Sequence, residues 1–433
     1  MGYVAVSGGK QAIDASLELL ELERLAEGRS LETQLVLDTL PELVEQVEGE
    51  GSLWAPDVAA IAVKQARGSV EEAVFLVRAY RSTLERLYTS RVIDTSAMQV
   101  NRRISAAFKD VPGGQVLGAT RDYSHRLIDF DLADETPDDV RQALANLRAT
   151  LPSEPVVRED GSLELFDDVP KVCDYLRSIK ILASYPVDDT QPIDITKTPM
   201  SFPCPRSGIL QCLTRGMTQA VIAIGYAAIR GFGLSHPTIG ELRRGEMPVC
   251  IDGPAAALAG ETPDPEDAYY LGSIPCCEVE SLIVHDTEEH GVHRSDLDMG
   301  YGLVFGGDES KAIAMSVLDH SLRQDDVRFP TQDQEFVLLH IEGVEATGFI
   351  SHLKLPHYVT FQSKLDSARR SAKIAAEREQ EAAAGVQQTV GAEIAQTEAA
   401  PAEGDAARAQ DATAGAEPAQ TSTCAEGGAS HEA

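Results

Sequence analysis

The residues with the types and spacing to do chemistry fall into three groups. The first runs from Asn101 to Arg126, NRRISAAFKDVPGGQVLGATRDYSHR. Arg102, Arg103, Lys109, Arg121 and Arg126 outnumber Asp110 and Asp122 there, in a chain that is otherwise strongly acidic. Guanidinium forks beside a Gly113-Gly114 turn with exposed backbone N–H groups are what a phosphate-rich ligand requires. The same charges also suit a solvated helix face that pairs with carboxylates elsewhere.

The second group is FISHLKLPHY, Phe349 to Tyr358. His352 and His357 are five apart with Pro356 between them, so they are not the i, i+4 pair of a helical metal site. In a straight strand an odd spacing points them to opposite faces, and convergence needs a bend at Leu355-Pro356. Two imidazoles leave a zinc site open, because a closed one takes four ligands. The missing donors would come from a partner chain, a distant carboxylate or water. Two unrelated loop histidines are the other reading. The third group, HDTEEHGVH from His285 to His293, holds three His and three carboxylates in nine residues. It has metal-ligand types, set in a polar and unpatterned stretch where His-rich surface loops also occur.

Several motifs are missing. Ser7-Gly8-Gly9-Lys10 sits between a strand-like run and a helical pattern, but Gln11 stands where a phosphate-binding loop needs Ser or Thr. The chain has no G-x-S-x-G, no H-E-x-x-H and no C-x-x-C, which argues against hydrolase, zincin and iron–sulfur chemistry.

The elements that must position these groups divide the chain in three. Residues 1–95 read as a mostly helical N-terminal region. It opens with a strand-like run, Tyr3–Val6, followed by helical patterns over Gln11–Ala26 and Glu32–Val47 and a helix start capped at Asp57. An S-x-x-E capping box at Ser69 and Glu72 then opens a helix that the apolar spacing carries to Tyr88. Residues 96–365 read as a mixed α/β core in which β-type runs, Gly302–Phe305 and Phe336–Ile341, alternate with helices such as Ser310–Leu322. Residues 366–433 read as an Ala/Glu-rich disordered acidic tail, with helix only near Lys373–Ala384. The fold class is α+β.

The 433 residues carry a formal net charge of −32, which excludes sequence-wide affinity for a nucleic-acid polymer. From Ser371 onward there are eleven acidic and three basic residues and no aromatic one, so the acidity lies in both tail and body. Seven cysteines without a secreted-type spacing predict a reducing compartment. No stretch approaches about 18 uninterrupted apolar residues and no signal-peptide pattern opens the chain, so a cytoplasmic location with no membrane partner is expected.

Several runs, in order, resemble one known family. They are Arg102–Ala106 through Lys109–Gly114, Asp122-Tyr-Ser-His-Arg126, Gly300-Tyr-Gly-Leu-Val-Phe-Gly306, Gln334–Leu338 and Ser351–Val359. The opening Tyr3–Val6 with Gly8-Gly9, and Gln65-Ala66, Phe75-Leu76 and Arg78–Arg81, fit as well. Together these are similar to the PhnI family, the I subunits of the bacterial carbon–phosphorus lyase core complex, over about Met1 to Leu365.

The resemblance implies a ribose-triphosphate transferase subunit. With the G and H subunits and the ATP-binding-cassette L subunit it would displace adenine from Mg-ATP by an alkylphosphonate, giving α-D-ribose 1-alkylphosphonate 5-triphosphate. Alone it would act as a purine nucleosidase on ATP or GTP. The J subunit and the cassette K subunit are further implied partners, and the pair matching His352 and His357 would bind zinc near the contact with J. Displacement at an anomeric carbon passes through an oxocarbenium-like state. Arg102, Arg103, Lys109 and Arg126 with Gly113 and Gly114 are then the expected phosphate cradle. Asp122 and His125 are the expected acid–base or ribose contacts. The alternative is a structural scaffold subunit whose partners supply the catalytic groups.

Overall fold

The computed structural model describes residues 9–150, 169–184, 188, 190–232, 237–253, 268–289, 292–324, 327–355 and 357–398. The strand expected at Tyr3–Val6 and the polar stretch Leu151–Glu159 lie outside them. The chain divides into two compact units, Ala5–Pro356 and a second that includes everything from His357 onward.

In the larger unit, prolines and caps set the first helices: α1 (Gly9–Leu25), α2 (Thr33–Thr39), α3 (Pro41–Gly51), α4 (Pro56–Gln65) and α5 (Val70–Arg81). The single helix expected over Glu32–Val47 is broken at Leu40-Pro41, since proline has no N–H to continue the ladder and favours a helix start. At α4 the cap is Ala55 with Pro56 in the first turn, so Asp57 lies inside the helix rather than capping it. Ser69 does cap α5, its hydroxyl accepting from the Glu72 N–H at 3.4 Å, but α5 stops at Arg81, seven residues short of Tyr88. Helices α2 to α5 share a core of Val36, Val44, Val47, Ala59, Val63, Val74 and Val77.

The four strands β1 (Gln99–Ile104), β2 (Thr238–Asp252), β3 (Ala268–Glu289) and β4 (Val292–Phe305) form one antiparallel sheet in chain order. Helices α6 (Pro137–Thr150) and α7 (Val172–Ser178) lie between β1 and β2 in sequence, followed by α8 (Arg206–Arg215) and α9 (Thr218–Tyr226). After β4 come α10 (Glu309–Ser321), α11 (Gln334–His340) and α12 (Gly343–His352). Phe336–Ile341 was expected as β-type and is helix: Asp333 caps α11 by accepting from the Phe336 N–H at 3.1 Å, and a short apolar run carries no period of its own. The stretch holding the triple-His motif is the far end of the β3–β4 hairpin rather than an unpatterned loop, with His285 opposite Asp296 and Glu288 opposite His293. His290 and Gly291 lie outside the described residues.

Strand alternation sorts the side chains onto two faces. Leu242, Cys277, Val279 and Val304 join Leu213, Val221, Met315 and Leu318 in the main core under α8 to α11. The opposite face is covered by α7 through Val172, Cys173, Leu176 and Leu282, and farther along by Met98, Val100, Met247 and Cys276. The Gly300-Tyr-Gly302 motif has a packing cause. A Cβ on Gly300 would stand 2.0 Å from the Ser316 carbonyl oxygen, and one on Gly302 would stand 2.1 Å from that of Ala312, so α10 lies backbone-close on β4.

In the second unit, α13 (Tyr358–Glu398) is one long helix. It extends well past the Lys373–Ala384 stretch expected to be helical, because Ala, Glu, Gln and Arg are strong helix formers. Ion pairs one turn apart, Asp366–Arg369 at 3.2 Å and Lys373–Glu377 at 3.8 Å, add to this. Among the described residues no single helix is long and apolar enough to cross a membrane.

Candidate functional site

The Asn101–Arg126 segment starts as β1 and leaves the sheet as a loop that its own arginines hold in place. Arg102 and Arg103 are neighbours on a strand and therefore point to opposite faces. Arg102 gives Nε to Glu309 at 2.6 Å, Nη1 to the Leu117 carbonyl at 2.6 Å and Nη2 to Asp122 at 2.6 Å. Arg103, 1% exposed, pairs with Glu241 at 2.5 Å and donates to the carbonyls of Pro112, Gly114 and Pro170 at 2.6, 3.0 and 2.9 Å. Their forks are thus committed inside the protein. A buried guanidinium without partners would be costly, and each of these is matched by carboxylates and carbonyls.

What the two braces hold outward is the rest of the group. Gly113 and Gly114 take φ of +81° and +75°, which favours glycine, and the loop closes back on β1 through paired Arg103–Val116 backbone bonds of 2.7 and 2.8 Å. Gln115 ties the inner turn, donating to the carbonyls of Phe108 and Lys109 at 3.2 Å. Lys109, His125 and Arg126 are exposed on this frame, and Asp122 is half exposed with one oxygen on Arg102. Arg121 pairs with Glu42 at 2.7 Å across the surface. The cradle residues therefore separate into an inner pair, Arg102 and Arg103, and an outer set, Lys109, Gly113, Gly114 and Arg126, with His125 and Asp122 beside it.

Beneath the loop lies a charged layer that sequence reading did not single out. Glu241 and Arg243 of β2, Glu278 and Glu280 of β3 and Tyr301 of β4 share the α7 face of the sheet, and all but Tyr301 are 5% exposed or less. Lys171, at the start of α7, reaches Glu278 at 2.8 Å and Glu280 at 3.8 Å. The Tyr301 hydroxyl donates to Glu278 at 2.8 Å, and the Val172 N–H to Glu241 at 3.0 Å. Burial pushes the Glu280 carboxyl above its ordinary range. The available signal was charge at alternate positions, Glu241 with Arg243 around Leu242 and Glu278 with Glu280 around Val279.

A second polar network caps the other end of α10. Asp319, fully buried, receives both Arg206 nitrogens at 3.0 and 2.8 Å and the Tyr301 N–H at 3.0 Å. His320 Nε2 stands 3.3 Å from Asp298, whose hydrogen bond to that imidazole lowers its pKa to about 2.

The expected zinc ligands fall in different units and are described within each. His352 ends α12, its Nδ1 bonded to the Phe349 carbonyl oxygen and its ring tilted against the Phe349 ring. A carbonyl oxygen can only accept, so Nδ1 carries the proton of that bond. His357 immediately precedes α13 and meets Phe361 edge to face. Pro356, the expected bend, lies outside the described residues. Among the described residues no group of three or more His, Cys, Asp and Glu is arranged to hold a metal ion. Each histidine by itself is a donor type that zinc accepts, and a closed zinc site takes four such ligands.

Comparison with known proteins bears on the whole chain. Residues 2–375 match the family model described as bacterial phosphonate metabolism protein (PhnI). HtxH of Stutzerimonas stutzeri is 42% identical over 376 residues, 85% of this chain and 95% of that protein. Two relatives are named alpha-D-ribose 1-methylphosphonate 5-triphosphate synthase subunit PhnI. That of Rhizobium meliloti (strain 1021) is 40% identical over 379 residues, 85% of this chain and 94% of its own length. That of Escherichia coli (strain K12) is 39% identical over 378 residues, 85% and 98%. The chain belongs to the PhnI family of bacterial phosphonate metabolism proteins.

Proposed function

We propose that this protein is a subunit of an α-D-ribose 1-methylphosphonate 5-triphosphate synthase within a carbon–phosphorus lyase system. In that assembly adenine is displaced from Mg-ATP by an alkylphosphonate. The observation that carries the reading is identity near 40% along 94–98% of two relatives bearing that name. The bond that forms joins a phosphonate oxygen to ribose C1, and the C1–N9 bond breaks with its electron pair leaving on the purine. Such a transition state gathers positive charge on the sugar and negative charge on the base, so it is served by a proton donor at the base and anion contacts along the triphosphate.

In this chain the outer set of the Asn101–Arg126 loop is the proposed contact. Lys109 and Arg126 face the phosphates with the Gly113-Gly114 turn, and His125 and Asp122 lie beside them for the base or ribose hydroxyls. Arg102 and Arg103 act as positioning residues. Zinc, when bound by His352 and His357 with donors from a J-type partner, would supply a Lewis-acidic and structural centre at that contact. Partners of the G, H, K and L types complete the assembly in this reading, with a purine nucleosidase activity when the chain acts alone.

The committed inner arginines equally favour a second reading, a scaffold whose partners bring the reacting groups. Incubation of the purified chain with Mg-ATP, and of the assembled complex with Mg-ATP and methylphosphonate, separates the two. Free adenine from the chain alone and ribose 1-methylphosphonate 5-triphosphate from the complex are expected. Lys109→Ala with Arg126→Ala should raise KM for ATP about tenfold or more, the loss of charge-assisted contacts. Unchanged kinetics in a folded variant would leave the scaffold reading standing.

A further inference from the structure

The turn at 112–115 is exposed, yet it stands on a buried side chain. Arg103 Nη1 donates to the Pro112 carbonyl at 2.6 Å and to the Gly114 carbonyl at 3.0 Å, and Nη2 donates to the Pro170 carbonyl at 2.9 Å. A Cβ on Gly113 would stand 3.3 Å from Arg103 Nη1 and 2.8 Å from the Val169 side chain, so the turn rests directly on this support. In a trans peptide the N–H points opposite to the C=O, and the peptides of this turn are trans. The carbonyls of Pro112 and Gly114 face inward to the guanidinium. The N–H groups that share those peptides, of Gly113 and Gln115, therefore face outward. Between them the Gly114 N–H is taken by the Val111 carbonyl at 2.8 Å, while among the described residues the outward pair has no hydrogen-bond partner. Because the two carbonyls converge on one nitrogen, the two N–H groups diverge, and diverging donors suit neighbouring groups of a phosphate chain better than a single oxygen.

Behind Arg103 stands Glu241, 2% exposed and held from both sides. Its Oε1 accepts from Arg103 Nε at 2.5 Å, and its Oε2 accepts from the Val172 N–H at the start of α7 at 3.0 Å. Taking such a pair out of water costs several kcal/mol per ion, and the attraction between the charges repays this only where the geometry is good. The carbonyls of an exposed turn do not require that support, since water satisfies them. What the pair adds is direction. With Nε on Glu241 the planar fork is fixed, and both Nη atoms are left to the loop carbonyls.

We propose that Glu241 is a positioning residue for the triphosphate: acting through Arg103, it turns the Gly113 and Gln115 N–H groups outward onto adjacent phosphate groups. The inference rests on the reading above that ATP is held at this loop, and deepens it by naming the donors and the residue that aims them. Lys109 and Arg126, exposed on the same loop, supply charge, and the turn supplies the preference for a chain over a single phosphate.

Calorimetry and residue-resolved amide hydrogen exchange on the full chain, with inorganic tripolyphosphate and with inorganic phosphate, test it. Tripolyphosphate should slow exchange at Gly113 and Gln115 in the wild type. Equal protection by phosphate at the same concentration would overturn the preference for a chain. Glu241→Gln should weaken tripolyphosphate about tenfold and abolish the protection. In the assembled complex it should raise KM for ATP about tenfold with kcat within about twofold, and Glu241→Asp, which keeps the charge, should recover part of the loss. Arg103→Lys guards against a folding defect in Glu241→Gln, because one ammonium keeps the ion pair but cannot span Glu241 and three carbonyls; it too should lose the protection. Wild-type affinity and protection in either folded variant overturn the proposal, as does a wild-type chain whose Gly113 and Gln115 amides tripolyphosphate leaves unprotected. The functional reading fails separately, if the wild-type complex yields neither free adenine nor the triphosphate product although tripolyphosphate protects the turn.

Discussion

Glu48 and Lys311 are buried ionisable side chains that the proposed chemistry does not use, and they set how stability responds to pH. Burial, with Glu45 close by, raises the Glu48 carboxyl from 4.5 to about 8. One of its oxygens is buried without a hydrogen-bond partner. Burial lowers Lys311 from 10.5 to about 8. Between pH 4.5 and 8 the native state keeps the Glu48 proton that the unfolded chain has lost, so stability falls as pH rises. Between pH 8 and 10.5 the unfolded chain keeps the Lys311 proton that the native state has lost, so stability rises. Buried Cys173, Cys212, Cys276 and Cys277, whose thiols burial pushes up, add a fall of their own above pH 9, so the two contributions are read as differences between variant and wild type. In urea midpoints measured from pH 5 to 10, Glu48→Gln should lose less stability than wild type between pH 5 and 8, and Lys311→Met should lose more than wild type between pH 8 and 10. A profile in which neither substitution changes the slope would contradict the assignment. At this scale the sequence was partly legible. Local excess charge in Asn101–Arg126 was visible. That Arg102 and Arg103 turn inward was not, because their carboxylates, Glu309 and Glu241, lie 207 and 138 positions away.

Helices and strands were legible where a local signal existed and lost where tertiary packing decided. Ser69 with Glu72 located the start of α5 and the Gly-flanked run 302–305 located the end of β4, because cap and period act within a few residues. Val337 and Leu338 are buried in α11, and the same apolar run would suit a strand equally well; only the Asp333 cap and the packing under the main core choose helix. The glycines of β4 make the strongest demand at this scale. Between Gly302 and α10 there is no room for a methyl group, since backbone atoms rather than a movable side chain block it. Gly302→Ala should therefore push α10 off the sheet and destabilise the larger unit by about 3 kcal/mol, at or above the upper end of ordinary overpacking. Gly385→Ala, in open space on α13, should be neutral or slightly stabilising through helix propensity. Chemical denaturation of both variants checks the contrast, and equal stabilities would refute the close approach.

For the whole molecule the unpartnered apolar surface outweighs the net charge as a guide to behaviour. The −32 total keeps copies of the chain apart, yet Leu127, Ile128, Phe130 and Leu132 are 82, 78, 78 and 63% exposed in one stretch. The α6 helix that follows has no buried residue, and neither has α1, which exposes Leu17, Leu20 and Leu22. A soluble monomer rarely presents such runs, and a chain that works as one subunit of an assembly does so where partners cover it. The neighbouring loop that the inner arginines brace then has a reason to be held rigid: it carries the proposed substrate contacts up to the edge of this surface. Each large apolar side chain removed from water at an interface contributes about 2 kcal/mol. Leu127→Asp with Phe130→Asp should weaken association with the proposed G-, H- and J-type partners by about 4 kcal/mol, on the order of a thousandfold in Kd. The thermal stability of the isolated chain should stay within about 0.5 kcal/mol, since neither side chain packs against its own fold. Co-purification and sedimentation of the double variant decide the point. Wild-type assembly would show that these residues face solvent in the complex as well, and loss of assembly with an intact melting curve would place the partner on this surface.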